Sequence, residues 1–180
     1  TLFRSALNHY RHTLSRNDNL LIYYAGHGVV DKDSDSGYWL PSEASQTDDT
    51  NWIALNRVTS TIKAMNAKHV MVVADSCYSG KLTRGLHVKT KAPDYYAKMA
   101  RRKTRVVMTA GGLEPVLDSG GGGHSVFANA FIRTLRESPS VIDGMDLFQQ
   151  VRERVMLAAD QTPEYSNIRK AIPLHTSQNS

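Results

Sequence analysis

At 180 residues, with 41% hydrophobic and 22% charged side chains, the chain can bury one sizeable core and is too apolar for a disordered tail. A single cysteine, Cys77, excludes an intrachain disulfide framework, and the apolar runs Leu20–Ala25 and Val70–Ala74 are far shorter than the roughly 20 residues of a membrane-spanning helix. The net charge of +5 is uneven: residues 81–105 hold nine Lys/Arg against Asp94, a local +8, whereas residues 31–49 sum to −5.

Thr1 opens a polar, amphipathic stretch without the basic region, apolar core and small-residue cleavage site of a secretory signal, so a reducing, cytoplasmic setting is expected. Phe3, Leu7, Tyr10 and Leu14 recur at helical spacing, and Asn17-Asp18-Asn19 breaks that pattern before the β-rich run Leu20–Tyr24. This reads as helix, turn, buried strand. After a loop rich in Asp, Ser and Gly, Tyr38-Trp39-Leu40 before Pro41 fits one strand of a hairpin. Leu55, Val58, Ile62 and Met65 trace a second helix, and His69–Ala74 is a continuous apolar strand of the kind buried on both faces of a parallel sheet. Arg105–Thr109 reads as a third strand. Ser125 is an N-cap candidate for a helix through Phe127, Ala130, Phe131 and Leu135, and Leu147, Phe148, Val151 and Val155 mark a further helix. Strands alternating with helices predict an α/β domain with a mostly parallel sheet, and ligands of such sheets bind beyond the carboxyl ends of the strands.

Two apolar strands end alike, the first in Tyr24-Ala25-Gly26-His27-Gly28 and the second in Ala74-Asp75-Ser76-Cys77-Tyr78-Ser79-Gly80. If they are neighbours, His27 and Cys77 emerge at the same sheet edge. A cysteine thiolate is a nucleophile that an adjacent imidazole stabilises, and the imidazole can later protonate a leaving amine. The backbone N–H groups of Gly28 and Cys77 are candidates for stabilising a tetrahedral oxyanion. A lone strand-end cysteine is more often a small core residue than a nucleophile, so the signal is the combination of the two turns rather than either residue.

The pair Tyr-Tyr-Ala-Gly-His-Gly and Ala-Asp-Ser-Cys-Tyr-Ser-Gly resembles the caspase-like cysteine peptidases, in particular the metacaspase, paracaspase and bacterial caspase-like branches. The His27-to-Cys77 separation of 50 residues is that of caspases. The likeness extends to Gly37–Pro41, Thr109–Glu114, His124–Phe127 and Gln161–Pro163, and so spans nearly the whole chain. It implies a three-layer α/β/α sandwich and a Cys/His dyad cleaving through a thioacyl-enzyme. It also implies a large-subunit-like part at 1–80, a basic connecting loop at 81–105 and a small-subunit-like part at 106–180. In the family an apolar strand and helix, with a further pocket carboxylate, precede the segment that Thr1–Leu14 resembles; the sequence lacks them, so it is expected either to be a fragment or to take that strand from elsewhere.

Animal caspases carry Gln-Ala-Cys where this chain has Asp75-Ser76-Cys77, whereas metacaspases and paracaspases have Asp there and cleave after Arg or Lys. A carboxylate two residues before the nucleophile suits a basic scissile residue, since a charge-assisted pair is among the stronger polar contacts. Glu114 resembles a second acidic pocket residue of the paracaspases. For Asp75 a structural cap stays open, and for Glu114 a solvated surface position. Catalytically silent binding or scaffold modules, and a caspase-type enzyme of acidic specificity, remain alternatives to the endopeptidase.

The connection equivalent to 81–105 is often cut during activation in caspase relatives, so self-cleavage after Arg84, Lys89, Lys91, Arg101 or Arg102 stands beside the reading of a merely solvated loop. Aromatics in that stretch are confined to Tyr95 and Tyr96, which disfavours single-stranded nucleic acid as a partner. The expected partners are protein or peptide substrates with basic residues, with regulatory domains left open and no membrane. Asp31-x-Asp33-x-Asp35 resembles the opening of a calcium loop, but Ser36 stands at the glycine position and Ser42 at the bidentate glutamate. The acid some metacaspases place seven residues after the cysteine is Arg84 here. No cofactor or metal is assigned, and calcium stays open.

Overall fold

The computed structural model describes residues 2–45, 48–76, 101–111 and 123–168. Its main sheet has four strands in the order β1 (Asn19–Ala25), β5 (His69–Asp75), β6 (Thr104–Thr109) and β7 (Glu164–Asn167). The first three are parallel and β7 returns antiparallel. A smaller antiparallel sheet joins β2 (His27–Asp31), β3 (Ser36–Leu40) and β4 (Ile53–Ala54). The tight β2–β3 connection places Asp35 at φ 49°, a left-handed position that Asp tolerates better than most residues.

Alternation along β5 separates two cores. Val70, Val72 and Ala74 pack on one face with Leu7 of α1 (Leu2–Thr13), Val58 and Ile62 of α2 (Leu55–Ala64), and Trp39 of β3. Val73, on the opposite face, packs with Phe127 and Phe131 of α3 (Val126–Glu137) and Val151 and Val155 of α4 (Gly144–Ala158). Helices on both faces of a mostly parallel sheet make the expected α/β/α sandwich. Ser125 caps α3 by accepting from the Ala128 N–H at 2.9 Å, and Asp143 caps α4 by accepting from Met145 and Asp146.

Three expectations need correction. β1 is not buried on both faces: on the side that carries α3, Leu21 is 56% exposed and Tyr23, although its ring meets Phe131, is 41% exposed. His27 and Gly28 are not part of a free turn, since both belong to β2 and only Gly26 separates it from β1. Arg105, counted both with the basic connection and as the first residue of the expected third strand, belongs to β6, so the strand and not the connection holds it. Its guanidinium donates to the carbonyls of Ile62, Met65, Ala67, Lys68 and Thr104, tying the end of α2 to the sheet.

Candidate active site

β1 and β5 run in parallel to a last register pair, Ala25 opposite Asp75. Past that pair, one chain continues through Gly26 to His27 and the other through Ser76 towards Cys77. The Gly26 N–H donates to the Asp75 carbonyl at 3.3 Å, so the two strand ends stay joined one residue beyond the ladder. His27 is exposed and opens β2 opposite Leu40. Among the described residues its imidazole makes no hydrogen bond, so His27 is held there by its main chain.

Tyr24 supplies much of that hold. Its ring stacks on the fully buried Trp39, with centroids 4.2 Å apart and planes 10° from parallel. Its hydroxyl lies 2.8 Å from the His27 carbonyl and 3.0 Å from the Leu40 carbonyl, and shares its proton between the two. A Cβ at Gly26 would stand 2.9 Å from this hydroxyl, so the missing side chain at Gly26 is what lets the ring reach over the turn. Burial pushes the Tyr24 phenol up to about 12, which keeps it a donor throughout the neutral range.

On the opposite face of β1, Tyr23 points towards Asp75, donating to Oδ2 at 3.3 Å. Ser125 Oγ donates to the same oxygen at 2.5 Å while accepting the capping bond of α3. Asp75 is only 7% exposed. Burial, and then the Asp75 charge, push the Tyr23 phenol well above its ordinary value. Neutral hydroxyls orient a carboxylate without cancelling its charge.

The structure therefore brings His27 and Asp75 to one sheet edge, with Ser76 buried between Asp75 and Cys77 along the chain. Gly28 is buried within β2 opposite Trp39. Arg101 and Arg102 are exposed just before β6. Cys77, Glu114, Arg84, Lys89 and Lys91 lie outside the described residues. Sequence reasoning missed Tyr23 and Tyr24, read only as strand residues, and the second bond of Ser125, read only as a cap. Their signal was weak: two adjacent tyrosines before a glycine place hydroxyls on alternate faces at a strand end, but their partners are not given by spacing.

The acidic stretch is used locally. Asp31 accepts from the Asp33 N–H at 3.0 Å and the Ser34 hydroxyl at 2.6 Å, and these bonds hold its carboxyl below the usual range. Asp31, Asp48 and Asp49 line a groove of about 530 Å³ with Tyr38 and Trp52, towards the end of β2 remote from His27. Among the described residues no group of three or more His, Cys, Asp or Glu is placed to hold a metal ion, and no helix is long and apolar enough to cross a membrane.

Residues 2–178 match the caspase domain family, Peptidase_C14. The chain belongs to that family. Among solved structures it is similar to protein GSU0716 from Geobacter sulfurreducens, with a TM-score of 0.64 at 14% identity, covering 96% of this chain and 74% of that one. That likeness is one of fold. No curated protein sequence matches the chain. Membership makes the domain caspase-like, and the family suggests a cysteine peptidase-like role.

Proposed function

We propose that this caspase-domain protein is an endopeptidase that cleaves after Arg or Lys, with Cys77 as nucleophile, His27 as its acid–base partner and Asp75 as the pocket carboxylate. The observation that supports the reading is the Ala25–Asp75 register, which brings His27 and Asp75-Ser76 to the carboxyl ends of adjacent parallel strands, with Cys77 the next residue in the sequence. The Cys77 thiolate attacks the scissile carbonyl carbon, and the oxyanion that forms is met by backbone N–H groups at Gly28 and Cys77. His27 gives its proton to the leaving amine. Water, deprotonated by the same imidazole, then attacks the thioacyl-enzyme, releasing the acid and restoring the dyad. Asp75 pairs with the guanidinium or ammonium of the residue before the cut, and Glu114 adds a second charge to that pocket.

The Ser125 bond favours a second reading of Asp75 alone, as an anchor for the start of α3. Membership in the family supports the peptidase reading over a silent scaffold, and the residue type at Asp75 supports basic over acidic specificity.

The test is a positional-scanning fluorogenic peptide library read with wild type and Cys77→Ala, beside intact-mass analysis of both proteins over a dilution series. Cleavage confined to Arg and Lys, absent from the variant, is the expected result. Fragments ending at Arg84, Lys89, Lys91, Arg101 or Arg102, formed only with Cys77 present and at a rate independent of concentration, would extend the reading to self-processing of the 81–105 connection. Preference for Asp overturns the specificity; the absence of both turnover and labelling of Cys77 by a peptide electrophile overturns the enzyme.

A further inference from the structure

The base of a Cys/His or Ser/His site is commonly steered by a third group bonded to its ring, which fixes tautomer and direction. Among the described residues, nothing bonds the His27 ring. What is fixed is the peptide that carries it. Its carbonyl is bound by the Tyr24 hydroxyl, its cross-strand partner Leu40 is bound by the same hydroxyl, and the preceding residue is tied to Asp75. The Tyr24 ring is in turn clamped against Trp39, which is 0% exposed and sits in the core shared by α1, α2 and β5. A displacement of the β2–β3 hairpin relative to β1 must therefore break the Tyr24 bonds or unstack the ring.

We propose that Tyr24 is a positioning residue for His27, acting through the main chain: its hydroxyl pins the first pair of the β2–β3 hairpin to the end of β1 and so sets where the imidazole stands relative to the chain leaving β5. The inference rests on the peptidase reading for its catalytic consequence. Gly26 is part of the same device, because a Cβ there would push on the Tyr24 hydroxyl. Small errors in the placement of a general base are costly, since proton transfer needs hydrogen-bond reach.

Tyr24→Phe keeps the ring and its stack and deletes only the two bonds. In the full chain, kcat on an Arg-ended fluorogenic peptide is expected to fall at least tenfold with KM within about twofold. The pH profile for alkylation of Cys77 by iodoacetamide is expected to move to higher pH, because a displaced imidazolium no longer lowers the thiol pKa. Gly26→Ala should reproduce both changes, and the double variant should be little worse than either single one, as for two lesions of one contact. If Tyr24→Phe lowers thermal stability but leaves kcat and the alkylation profile unchanged, Tyr24 is merely structural and the proposal is overturned. Should Tyr24→Phe not fold, Gly26→Ala decides by the same readouts. Wild type without turnover refutes the peptidase reading, and the alkylation profile then still tests the positioning.

Discussion

The two ends of the main sheet are built differently. At the amino end the bonds serve the backbone: Lys68 N–H to the Asp18 carbonyl at 2.7 Å, Thr104 N–H to the Lys68 carbonyl at 3.1 Å, and the Arg105 guanidinium on five carbonyls. Apart from His69 Nδ1 against Thr104 Oγ1, these contacts satisfy main-chain acceptors that a helix end and a loop would otherwise leave unpaired. At the carboxyl end the polar contacts converge on the two residues nearest the proposed chemistry, through Tyr24 to His27 and through Tyr23 and Ser125 to Asp75. One end closes the fold, and the other orients the two groups to which the proposed chemistry is assigned. The separation implies that lesions at the two ends should have opposite signatures.

The largest stability effect is expected at the amino end. Arg105→Met removes the donor shared by five carbonyls, and hydrogen bonds from charged groups lie at the strong end of the range, so a loss of about 3 kcal/mol is expected. Arg105→Lys should recover little of it, because an ammonium cannot span that fork. Urea unfolding gives the loss. kcat/KM for Arg peptides, corrected for folded fraction, should stay at the wild-type value; a fall in activity of folded Arg105→Met protein would break the division between the ends.

At the carboxyl end, Asp75→Asn keeps the side chain's size and an oxygen for Ser125 and Tyr23 while removing the charge. Cleavage after Arg should drop at least tens-fold, about 2 kcal/mol of transition-state stabilisation, with unfolding free energy changed by less than about 1 kcal/mol. The opposite result, a stability loss with unchanged Arg preference, would make Asp75 the anchor of α3 and assign the pocket charge elsewhere.

Legibility in the sequence follows the same division. The apolar periodicities of Leu55–Met65 and Val70–Ala74, and the cap at Ser125, expose the helices and the central strand, because burial against one or two faces leaves a repeat in the sequence. β7 escaped, since Glu164–Asn167 carries no apolar run and earns its place by pairing with β6. β1 was read as buried because an apolar run says nothing of whether a layer covers it. Within the site, the residue types and their turns made His27 and Asp75 readable. The contacts that steer them were not, as Tyr23 and Ser125 lie 52 and 50 residues from Asp75 and meet it only through the fold, Tyr23 by the pairing of β1 with β5 and Ser125 from the start of α3. Arg105 was legible as a strand residue, but its five carbonyl partners were not, because it closes a run of basic residues whose charge dominates the pattern.

The smallest expected effect separates the ends by pH. Tyr24 has an ordinary pKa of 10.0 and, through burial, a folded value of about 12; Tyr23 moves in the same direction through burial and the Asp75 charge. An acid with a raised folded pKa keeps its proton in the native state where the unfolded chain has released it. The contribution is fully present below pH 10 and is lost as pH rises from there through about 12, because in that window the unfolded chain binds fewer protons. Urea midpoints of wild type should therefore fall more steeply above pH 10 than those of Tyr24→Phe, with the two series parallel between pH 7 and 9. Arg105→Met should keep the wild-type slope, displaced to lower stability at every pH, since Tyr23 and Tyr24 keep their surroundings at the other end of the sheet. Parallel series for wild type and Tyr24→Phe up to pH 12 would mean that the phenol is hydrated in solution, and that the hairpin carrying His27 is not held to β1 by its hydroxyl.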